Sequence, residues 1–331
     1  MNLMDKTKNQ HYIPQVEQRL NAIDKIASPK KQKIFKYVCE NHEKYIIKLK
    51  DKKGVAISST LSMNDLFSFD VLDNNTRHNF EKLFNKYESE IKNHTEELLR
   101  KINSHPTQDI TKEVVNIFAA KFINFIRNPF SIKKILNTFP NLIGLEPTSP
   151  IHHKNYLKVI NGNKPQKKYI CEILNISHLE YDSWLSIIFM LLSSFEENKP
   201  NLVESMIKSI FEKKGIYVSV FLYTYGNKTC LLSDRGYSIP ISDEMQTTFD
   251  FNLFSHGFIR YIFGDVDKIL HQQGLQLYSE LYKSFPKHIH LHHEIDDLEA
   301  LERYNRNVIH QCHQYVFSST TDCYGVKVKI D

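Results

Sequence analysis

Residues 111–129, "TKEVVNIFAAKFINFIRNP", are the stretch that decides the fold. After Thr111, which can cap a helix, apolar side chains fall on nearly every side of a helix, and this predicts a helix buried at the centre of the molecule. Pro129 disfavours the helical conformation at Asn128, so we expect the helix to end there. A helix that is apolar all round must be covered on every side by other elements.

Elements of both kinds are predicted around this helix. Apolar residues recur at three- and four-residue steps from 76 to 102, which indicates a long amphipathic helix. Further helices are predicted over about 181–195, 201–214 and 294–317. Strand-like composition is found at 33–38, 44–49, 55–59, 216–233 (a predicted hairpin), 285–293 and 324–330. The sequence predicts an α+β fold, a central helical bundle with small mixed or antiparallel sheets, in one large domain over residues 1–331.

Two regions of this domain have distinct compositions. Residues 25–60 are predicted to be a lysine-rich N-terminal β-hairpin region, in which 25–54 carry ten lysines against three acids. Because the net charge of the whole chain is only +5, the remaining residues are slightly acidic. Residues 146–168 contain three prolines and the basic run "NGNKPQKK", a composition that predicts a surface connection.

The lysine-rich region allows two interpretations. Lys33, Lys36 and Lys48 are interleaved with aromatic residues and could contact the phosphates of a nucleic acid without reading its sequence. The alternative is a solvated hairpin whose lysines keep it soluble. Nucleic acid is therefore one candidate partner.

Other features of the sequence exclude several classes of protein. The apolar run at 184–195 is about half the ~20 residues that a membrane span needs, and the first residues lack the apolar block of a secretory signal. Five cysteines without a Cys-x-x-Cys pair do not predict a disulfide framework. No glycine-rich phosphate loop or nucleophile-elbow motif occurs. We therefore expect a cytoplasmic protein without a membrane partner, and nucleotide-dependent or triad chemistry has no support.

Two polar residues interrupt the central helix. Asn124 and Arg127 lie on adjacent turns of a segment that is otherwise apolar. A buried guanidinium must be paired with a carboxylate, a phosphate or several carbonyl groups. Arg127 is therefore either a ligand for a substrate phosphate or half of a structural ion pair.

Acidic residues at two other places are candidates for metal binding or proton transfer. Glu81 and Glu88 lie about two turns apart on one helix face, and paired acids can hold Mg²⁺ or act in acid–base chemistry. Solvated surface charges would show the same spacing. Ser233 and Asp234 stand where an apolar strand ends, a common catalytic position, but Ser-Asp is equally a turn former.

Three histidines form the densest ionisable group in the sequence. His288, His290 and His292 would share one face of a strand and could bind a transition metal through neutral imidazoles. An exposed edge strand would show the same pattern, so the sequence leaves metal binding there open.

Five segments together resemble one known family. They are "QHYIPQ" (10–15), the Glu81 and Glu88 pair, "FINFIRNP" (122–129), "CLLSD" (230–234) and "YNRNVIHQCHQYVFSS" (304–319), which contains Asn305. In order and rough spacing they resemble the bacterial and phage proteins grouped as domain of unknown function four-two-three-eight, whose members open on an H-Y-x-P-Q motif. The resemblance covers nearly the full length and implies architecture and candidate positions, without a defined reaction. By association it implies a component of bacterial or phage conflict, in antiviral defence or as a toxin, with a partner protein from the same operon.

The chain departs from the family pattern at three places. Residues 16–18 are not the aromatic and aliphatic residues that usually precede the family arginine, here Arg19. Asn124 stands where the family has glutamine, and residues 235–236 are Arg-Gly in place of Asn-Pro. A site shared with the family would be altered at these positions.

The first hypothesis is an enzyme that acts on nucleic acid or another phosphate substrate, such as a nuclease or another phosphodiester-directed hydrolase. Its catalytic residues would converge in one cleft: His11, Glu88, Arg127, Asp234 and Asn305. Arg127 would neutralise a phosphate, and His11 would move a proton. A divalent metal, the one cofactor this hypothesis includes, would be held by Glu81, Glu88 and Asp234. Substrate would be bound by Tyr12, Gln15, Asn124, Ser233 and the three lysines Lys33, Lys36 and Lys48.

The second hypothesis is a non-enzymatic binding or regulatory protein. The same polar residues would then form a buried network that fixes the packing of helices and sheets, with Arg127 paired to Glu88 or Asp234. The surroundings of Arg127 distinguish the two hypotheses, because only the first requires an accessible cavity next to it.

Overall fold

Helices and small sheets surround one central helix in the computed structural model, which describes residues 3–72, 76–104, 108–196 and 199–330. The predicted α+β class is confirmed. The helices are α1 (Gln15–Leu20), α2 (Glu81–Ser104), α3 (Thr111–Arg127), α4 (Ile132–Thr138), α5 (Pro150–Asn161), α6 (Lys167–Leu174), α7 (His178–Leu192), α8 (Leu202–Glu212), α9 (Val266–Gln272), α10 (Ser279–Ser284) and α11 (Leu298–Gln311). The strands are β1 (Asn9–His11), β2 (Lys33–Asn41), β3 (Ile46–Leu49), β4 (Val55–Ala56), β5 (Ser62–Asn64), β6 (Ile216–Thr224), β7 (Leu232–Ser233), β8 (Gln246–Phe254), β9 (Gly257–Asp265), β10 (His290–Ile295), β11 (Tyr315–Ser318) and β12 (Lys327–Lys329).

The central helix is α3, as its apolar pattern predicts. On one side the indole N–H of Trp184, in α7, donates to the carbonyl of Ile126 at 2.8 Å. On the other side the hydroxyl of Tyr261, in β9, donates to the carbonyl of Val114 at 2.8 Å. The helix therefore lies between a helical layer and a sheet, and polar atoms of both neighbours bond to its backbone. Its N-cap is Ile110, so Thr111 is the first helical residue and not the cap.

Two larger sheets flank the helices. The four-stranded sheet has the order β10-β6-β9-β8, in which only β10 is parallel to its neighbour. The second sheet has the order β12-β3-β2-β11-β7, and β4 also pairs with β2. Helix α11 covers one face of this second sheet, where it builds a separate hydrophobic core with Tyr37, Ile47 and Val316. Strands β1 and β5 form a short antiparallel ribbon beside α1.

The lysine-rich region contains the hairpin of β2 and β3. The two strands pair antiparallel, with Tyr37 opposite Leu49 and Val38 opposite Lys48. The ladder shifts by one residue between Cys39 and Asn41. Such a bulge bends the end of the strand and changes the direction in which its last side chains project.

The hairpin predicted over residues 216–233 is wrong. Strand β6 has both of its edges occupied, by β9 and by β10. Strand β7 pairs instead with β11 in the other sheet. Composition identified the strands correctly but not their partners, because pairing depends on residues far away in the sequence.

The segment at 146–168 is more than the surface connection that its prolines predict. Its middle is α5, which begins at Pro150 and has Tyr156 and Val159 in the core. Proline is tolerated in the first turn of a helix, because the N–H that it lacks has no partner there. Likewise β10 begins at His290, later than predicted. None of the helices in the described ranges is long and apolar enough to cross a membrane.

Candidate active site

The "QHYIPQ" stretch is held between a strand pair and a short helix. His11, at the end of β1, lies opposite Ser62 of β5, and the Tyr12 N–H donates to the Leu61 carbonyl at 3.0 Å. Pro14 then leads into α1, for which its restricted backbone and missing donor are suited. This path brings His11 and Gln15 to the same side of the chain, where both line one cavity.

This His11 cavity is an open cleft of about 320 Å³ between the entry segment and the first half of α2. Its lining residues are Thr7, Asn9, His11, Gln15, Val16, Arg19, Glu81, Asn85, Glu88 and Ser89. Nearly all of them are polar, and four lie on α2 at helical spacing. The cleft is therefore suited to a polar or charged group and not to an apolar ligand.

Arg127 is buried directly behind the cavity. Its Nε donates to the Tyr12 carbonyl at 3.2 Å, and its Nη1 donates to the Glu88 carboxylate. The guanidinium lies 5.0 Å from the centre of the Phe84 ring. No hydrogen-bond partner for its Nη2 is found among the described residues. Arg127 therefore holds the entry segment and Glu88 in place without reaching the cavity surface itself.

Glu81 opens α2 on the cavity wall. Burial raises the pKa of its carboxyl to about 7, and the neighbouring Glu88 adds to this effect while Arg127 opposes it. The part of the chain that the structure describes offers no hydrogen-bond partner to its buried Oε1. Near neutral pH this carboxyl is present in both protonation states and can therefore give or take a proton.

His11 is displaced in the opposite direction. Burial lowers its pKa to about 4, Arg127 and Arg19 lower it further, and a contact with the Ile57 backbone partly offsets them. Its buried Nε2 has no partner within the described ranges. At neutral pH the imidazole is uncharged, and one ring nitrogen carries a free lone pair.

Arg19 supplies the positive charge on the cavity wall. Its Nη2 donates to Gln15 Oε1 at 2.6 Å, whereas its buried Nε has no partner among the residues described. The sequence analysis named Arg19 only as a family position and missed Asn85 and Ser89. The four-residue steps from Glu81 to Asn85 and from Asn85 to Ser89 place these side chains on one helix face and could have indicated them.

Asn124 belongs to a different buried network, one turn before Arg127. Its Nδ2 donates to one oxygen of Glu17 at 2.7 Å, and Lys121 Nζ donates to the other at 2.5 Å. All three side chains are buried. Asn124 thus fixes α1 against α3, and it is not one of the residues that line the His11 cavity.

Asp234 is fully buried and binds backbone. Its carboxylate accepts hydrogen bonds from the N–H groups of His313, Gln314 and Tyr315 at 2.8, 2.7 and 2.8 Å. Burial raises the pKa of this carboxyl, and the three backbone donors oppose that rise. Ser233 Oγ accepts from the Gly236 N–H at 3.1 Å, as a turn residue does.

Tyr12 lies between the His11 cavity and Asp234. Its buried ring packs edge-on against Phe130 at 5.5 Å. Burial raises the pKa of its hydroxyl, and the nearby Asp234 raises it further. The side chain of Tyr12 therefore faces Asp234, and only its backbone carbonyl reaches Arg127.

Asn305 holds together the second core. Its Oδ1 accepts from the Leu231 N–H at 2.9 Å, and its Nδ2 donates to the carbonyls of Thr229 and Tyr324 at 3.3 and 3.0 Å. Asp234 and Asn305 are thus bonded to backbone and do not line the His11 cavity. Within the described ranges, Glu81, Glu88 and Asp234 do not bring three ligand atoms within reach of one ion.

The three candidate lysines lie on the second sheet. Lys33 is exposed at the start of β2, Lys36 lies 3.6 Å from the centre of the Tyr315 ring, and Lys48 is half-buried on β3. None of them lines the His11 cavity. A nucleic acid that used both would have to extend from one surface to the other.

The histidines at 288–292 do not form a metal-ligand group among the described residues. His288 precedes β10, and His290 is exposed at its start. His292 stacks on Phe221 with ring centres 4.6 Å apart. The alternating pattern here is that of an exposed parallel edge strand.

A larger groove of about 1000 Å³ lies between α2, α3 and α8. Tyr87, Phe211 and Ile289 line it, and charged groups such as Lys86 and Glu204 are paired with each other at 2.5 Å. Its described lining residues include no buried polar atom without a partner, whereas the smaller His11 cavity has three, on His11, Arg19 and Glu81. Unpartnered buried polar atoms concentrate at functional sites, and we therefore place the candidate site in the smaller cavity.

No family model, curated protein or solved structure matches this chain.

Proposed function

We propose that the protein is a phosphodiester-directed hydrolase, acting on nucleic acid or another phosphate substrate, and that the His11 cavity is its active site. One observation carries the proposal. Two titratable groups of the same cavity have pKa values displaced in opposite directions, that of His11 to about 4 and that of Glu81 to about 7. Such a pair provides a base and an acid at one pH.

The charge of the cavity supports an anionic substrate. Arg19 lines the wall and Arg127 lies behind it, whereas the charge of Glu88 is compensated by Arg127 and Glu81 is partly protonated near neutral pH. The balance is positive. A guanidinium binds phosphate oxygens through charge-assisted hydrogen bonds, and Arg19 is the one placed to do so.

In the proposed reaction, His11 accepts a proton from a water molecule while the water oxygen attacks phosphorus. Glu81 gives its proton to the leaving oxygen as the phosphorus–oxygen bond breaks. One water is consumed, an alcohol and a phosphomonoester are released, and proton exchange with solvent restores both side chains. A bound anion would raise the pKa of His11, since two arginines contribute to lowering it, and would make it a stronger base.

Glu88 and Arg127 are positioning residues in this scheme. Their ion pair fixes α2 against the end of α3, and the bond from Arg127 Nε to the Tyr12 carbonyl fixes the segment that carries His11. Removal of either residue would displace the base relative to the acid, and misplacement by a fraction of an ångström lowers a rate substantially.

The test is hydrolysis of bis(p-nitrophenyl) phosphate and of single- and double-stranded DNA and RNA, with and without Mg²⁺. We expect His11→Gln and Glu81→Gln to lower kcat by about 100-fold or more, the range for loss of a general base or acid. The matched control is Glu96→Gln, which removes an exposed carboxylate of the same helix outside the cavity. Wild-type protein that hydrolyses none of these substrates above background would overturn the proposal, as would full activity of His11→Gln.

A second candidate is a non-enzymatic binding or regulatory protein, for a nucleic acid or a partner protein. It is favoured by the contacts of Asn124, Asp234 and Asn305, all of which are made within the fold. In that case isothermal titration calorimetry with phosphate and short oligonucleotides would detect binding that Arg19→Ala abolishes, without any turnover.

A further inference from the structure

A second cluster of reactive side chains lies at the far end of β2. It consists of Cys39, His42 and Cys312, and we call it the Cys39–His42–Cys312 cluster. One ligand atom from each residue lies within 4.8 Å of the others, and among the described residues this is the one group of three or more such side chains with that property. The sequence carries part of the pattern, since Cys39 and His42 have the Cys-x-x-His spacing of many zinc ligands.

The backbone brings these three residues together. Cys39 stands at the bulge of β2, and His42 is in the turn that follows. Cys312 caps the C-terminus of α11, immediately before the chain enters β11. The N–H of Cys39 donates to the Gln314 carbonyl at 2.8 Å, so the end of β2 is tied to the segment that carries Cys312.

The distances suit a tetrahedral ion after small rotations of the side chains. Bonds of about 2.3 Å to sulfur and about 2.0 Å to nitrogen place tetrahedral ligands roughly 3.5–3.8 Å apart. Cys312 Sγ already lies 4.0 Å from His42 Nδ1. The further approach that the cluster needs, within its 4.8 Å limit, is about 1 Å or less.

His42 is held as metal-binding histidines commonly are. Its Nδ1 lies 2.8 Å from the Ile309 carbonyl. A proton on Nδ1 makes that hydrogen bond and leaves the lone pair of Nε2 for an ion. The carbonyl belongs to the last turn of α11, where the helix dipole is negative and a cation is favoured.

The surroundings are also negative on the side of the thiols. Asp234 acts on both cysteines and, after burial, is among the causes that raise their pKa values. The two thiols are therefore protonated in the absence of a cation. A divalent ion would supply the positive charge that this end of the sheet lacks and would displace both thiol protons.

We propose that Cys39, His42 and Cys312 bind one thiophilic divalent cation of the Zn²⁺ type, through two thiolates and an imidazole. Two sulfur ligands select zinc over magnesium or calcium, which prefer oxygen. Cys312 is buried, whereas Cys39 and His42 are half-buried, so the fourth position faces solvent and takes water. The site is separate from the His11 cavity and does not depend on the proposed hydrolase activity.

The experiment is a metal titration of the reduced full-length chain after treatment with a chelator. With Co²⁺ as the probe, we expect about one ion per chain and a thiolate-to-cobalt charge-transfer band. Zn²⁺, measured in competition with a chromophoric chelator, should displace the cobalt. Cys39→Ser, Cys312→Ser and His42→Ala should each weaken Zn²⁺ binding by about 100-fold. The matched control is Cys171→Ser, which removes another buried thiol outside the cluster and should leave binding unchanged.

A measurement on the unmodified protein covers the case in which a variant fails to fold. With Zn²⁺ bound, peptide mapping after alkylation should show protection of Cys39 and Cys312 but no change at the other cysteines. Absence of stoichiometric Co²⁺ and Zn²⁺ binding by the reduced wild type would overturn the proposal. So would a disulfide between Cys39 and Cys312 that forms in air when the reduced protein binds no metal.

Discussion

At the scale of single residues, Arg127 has the largest predicted effect on stability. It is fully buried, it pairs with Glu88, and its Nε holds the Tyr12 carbonyl. We expect Arg127→Ala to lower the free energy of unfolding by about 3–5 kcal/mol, because it leaves a carboxylate and a carbonyl without their donor. The measurement is urea denaturation followed by circular dichroism.

The double variant Arg127→Ala/Glu88→Ala separates the pair from the site. If the ion pair accounts for the loss, the double variant is more stable than the sum of the single losses predicts. Arg19→Ala is the matched control, since that arginine is only partly buried and should cost less than about 1 kcal/mol. Equal losses for Arg127→Ala and Arg19→Ala would contradict this account.

Glu81 makes stability depend on pH. Its pKa is about 7 in the folded protein against 4.5 for an unperturbed glutamate, so between these values the folded state binds more protons than the unfolded state. This contribution to stability is complete below about pH 4.5 and is lost as the pH rises to about 7. We expect Glu81→Gln to be more stable than wild type at pH 8 by up to about 3 kcal/mol, with little difference at pH 4.5.

The control for this prediction is His11, which has the opposite sign. Its folded pKa of about 4 lies below the usual 6.5, so its contribution is present above pH 6.5 and is lost as the pH falls towards 4. His11→Gln should therefore flatten the acid side of the stability profile and leave the step at pH 4.5–7 in place. A step that survives in Glu81→Gln would mean that another group causes it.

The sequence predicted part of this residue-scale picture. Arg127 and Asn124 were singled out, because a polar side chain in an apolar helix must have a partner. The partners themselves, Glu88 and Glu17, are on other elements, and nothing in the spacing of the sequence selects them from the other carboxylates. Lys121 was missed although it interrupts the same apolar helix.

At the scale of elements, Asp234 joins β7 to the segment that follows α11. Three successive N–H groups donate to its carboxylate. Asp234→Asn replaces an acceptor oxygen by a donating amide in front of these donors, and we expect it to cost about 2–3 kcal/mol. Thermal and urea unfolding measure this loss.

Asp243→Asn is the matched control for that substitution. Asp243 also accepts from two backbone N–H groups, those of Met245 and Gln246 at 2.8 Å, but on the surface. It should cost less than about 1 kcal/mol, since water can replace the lost acceptor. A comparable loss at both positions would show that burial does not decide the value of the contact.

Elements were predicted better than their pairing. The long helix α2 and the central helix α3 follow from local periodicity, and their positions agree with the predictions to within a few residues at α2 and one at α3. The false hairpin at 216–233 has a different cause. Each of its strands has the right composition, but the choice between β7 and the actual partners of β6 depends on burial across two sheets.

At the scale of the whole molecule, the second sheet joins distant parts of the chain. Strand β2 pairs with β11, and the Tyr37 hydroxyl donates to the carbonyl of Thr320, 283 residues away. We expect Val316→Ala, in β11, to increase hydrogen exchange at the amides of β2 as well as β11. Mass spectrometry of deuterium uptake measures this, and Val218→Ala in the four-stranded sheet is the matched control. Faster exchange confined to β11 would contradict the expected coupling.

The same pairing sets a waiting time during synthesis. At about 5–20 residues per second, the 283 residues between Tyr37 and Thr320 take roughly 15–60 s to be made. Throughout that interval the edge of β2 that later receives β11 has no strand beside it. Lysine side chains are known to discourage strands from pairing with other chains, and residues 25–54 contain ten of them. Their density around the hairpin thus protects the nascent chain from aggregation until its distant partner emerges.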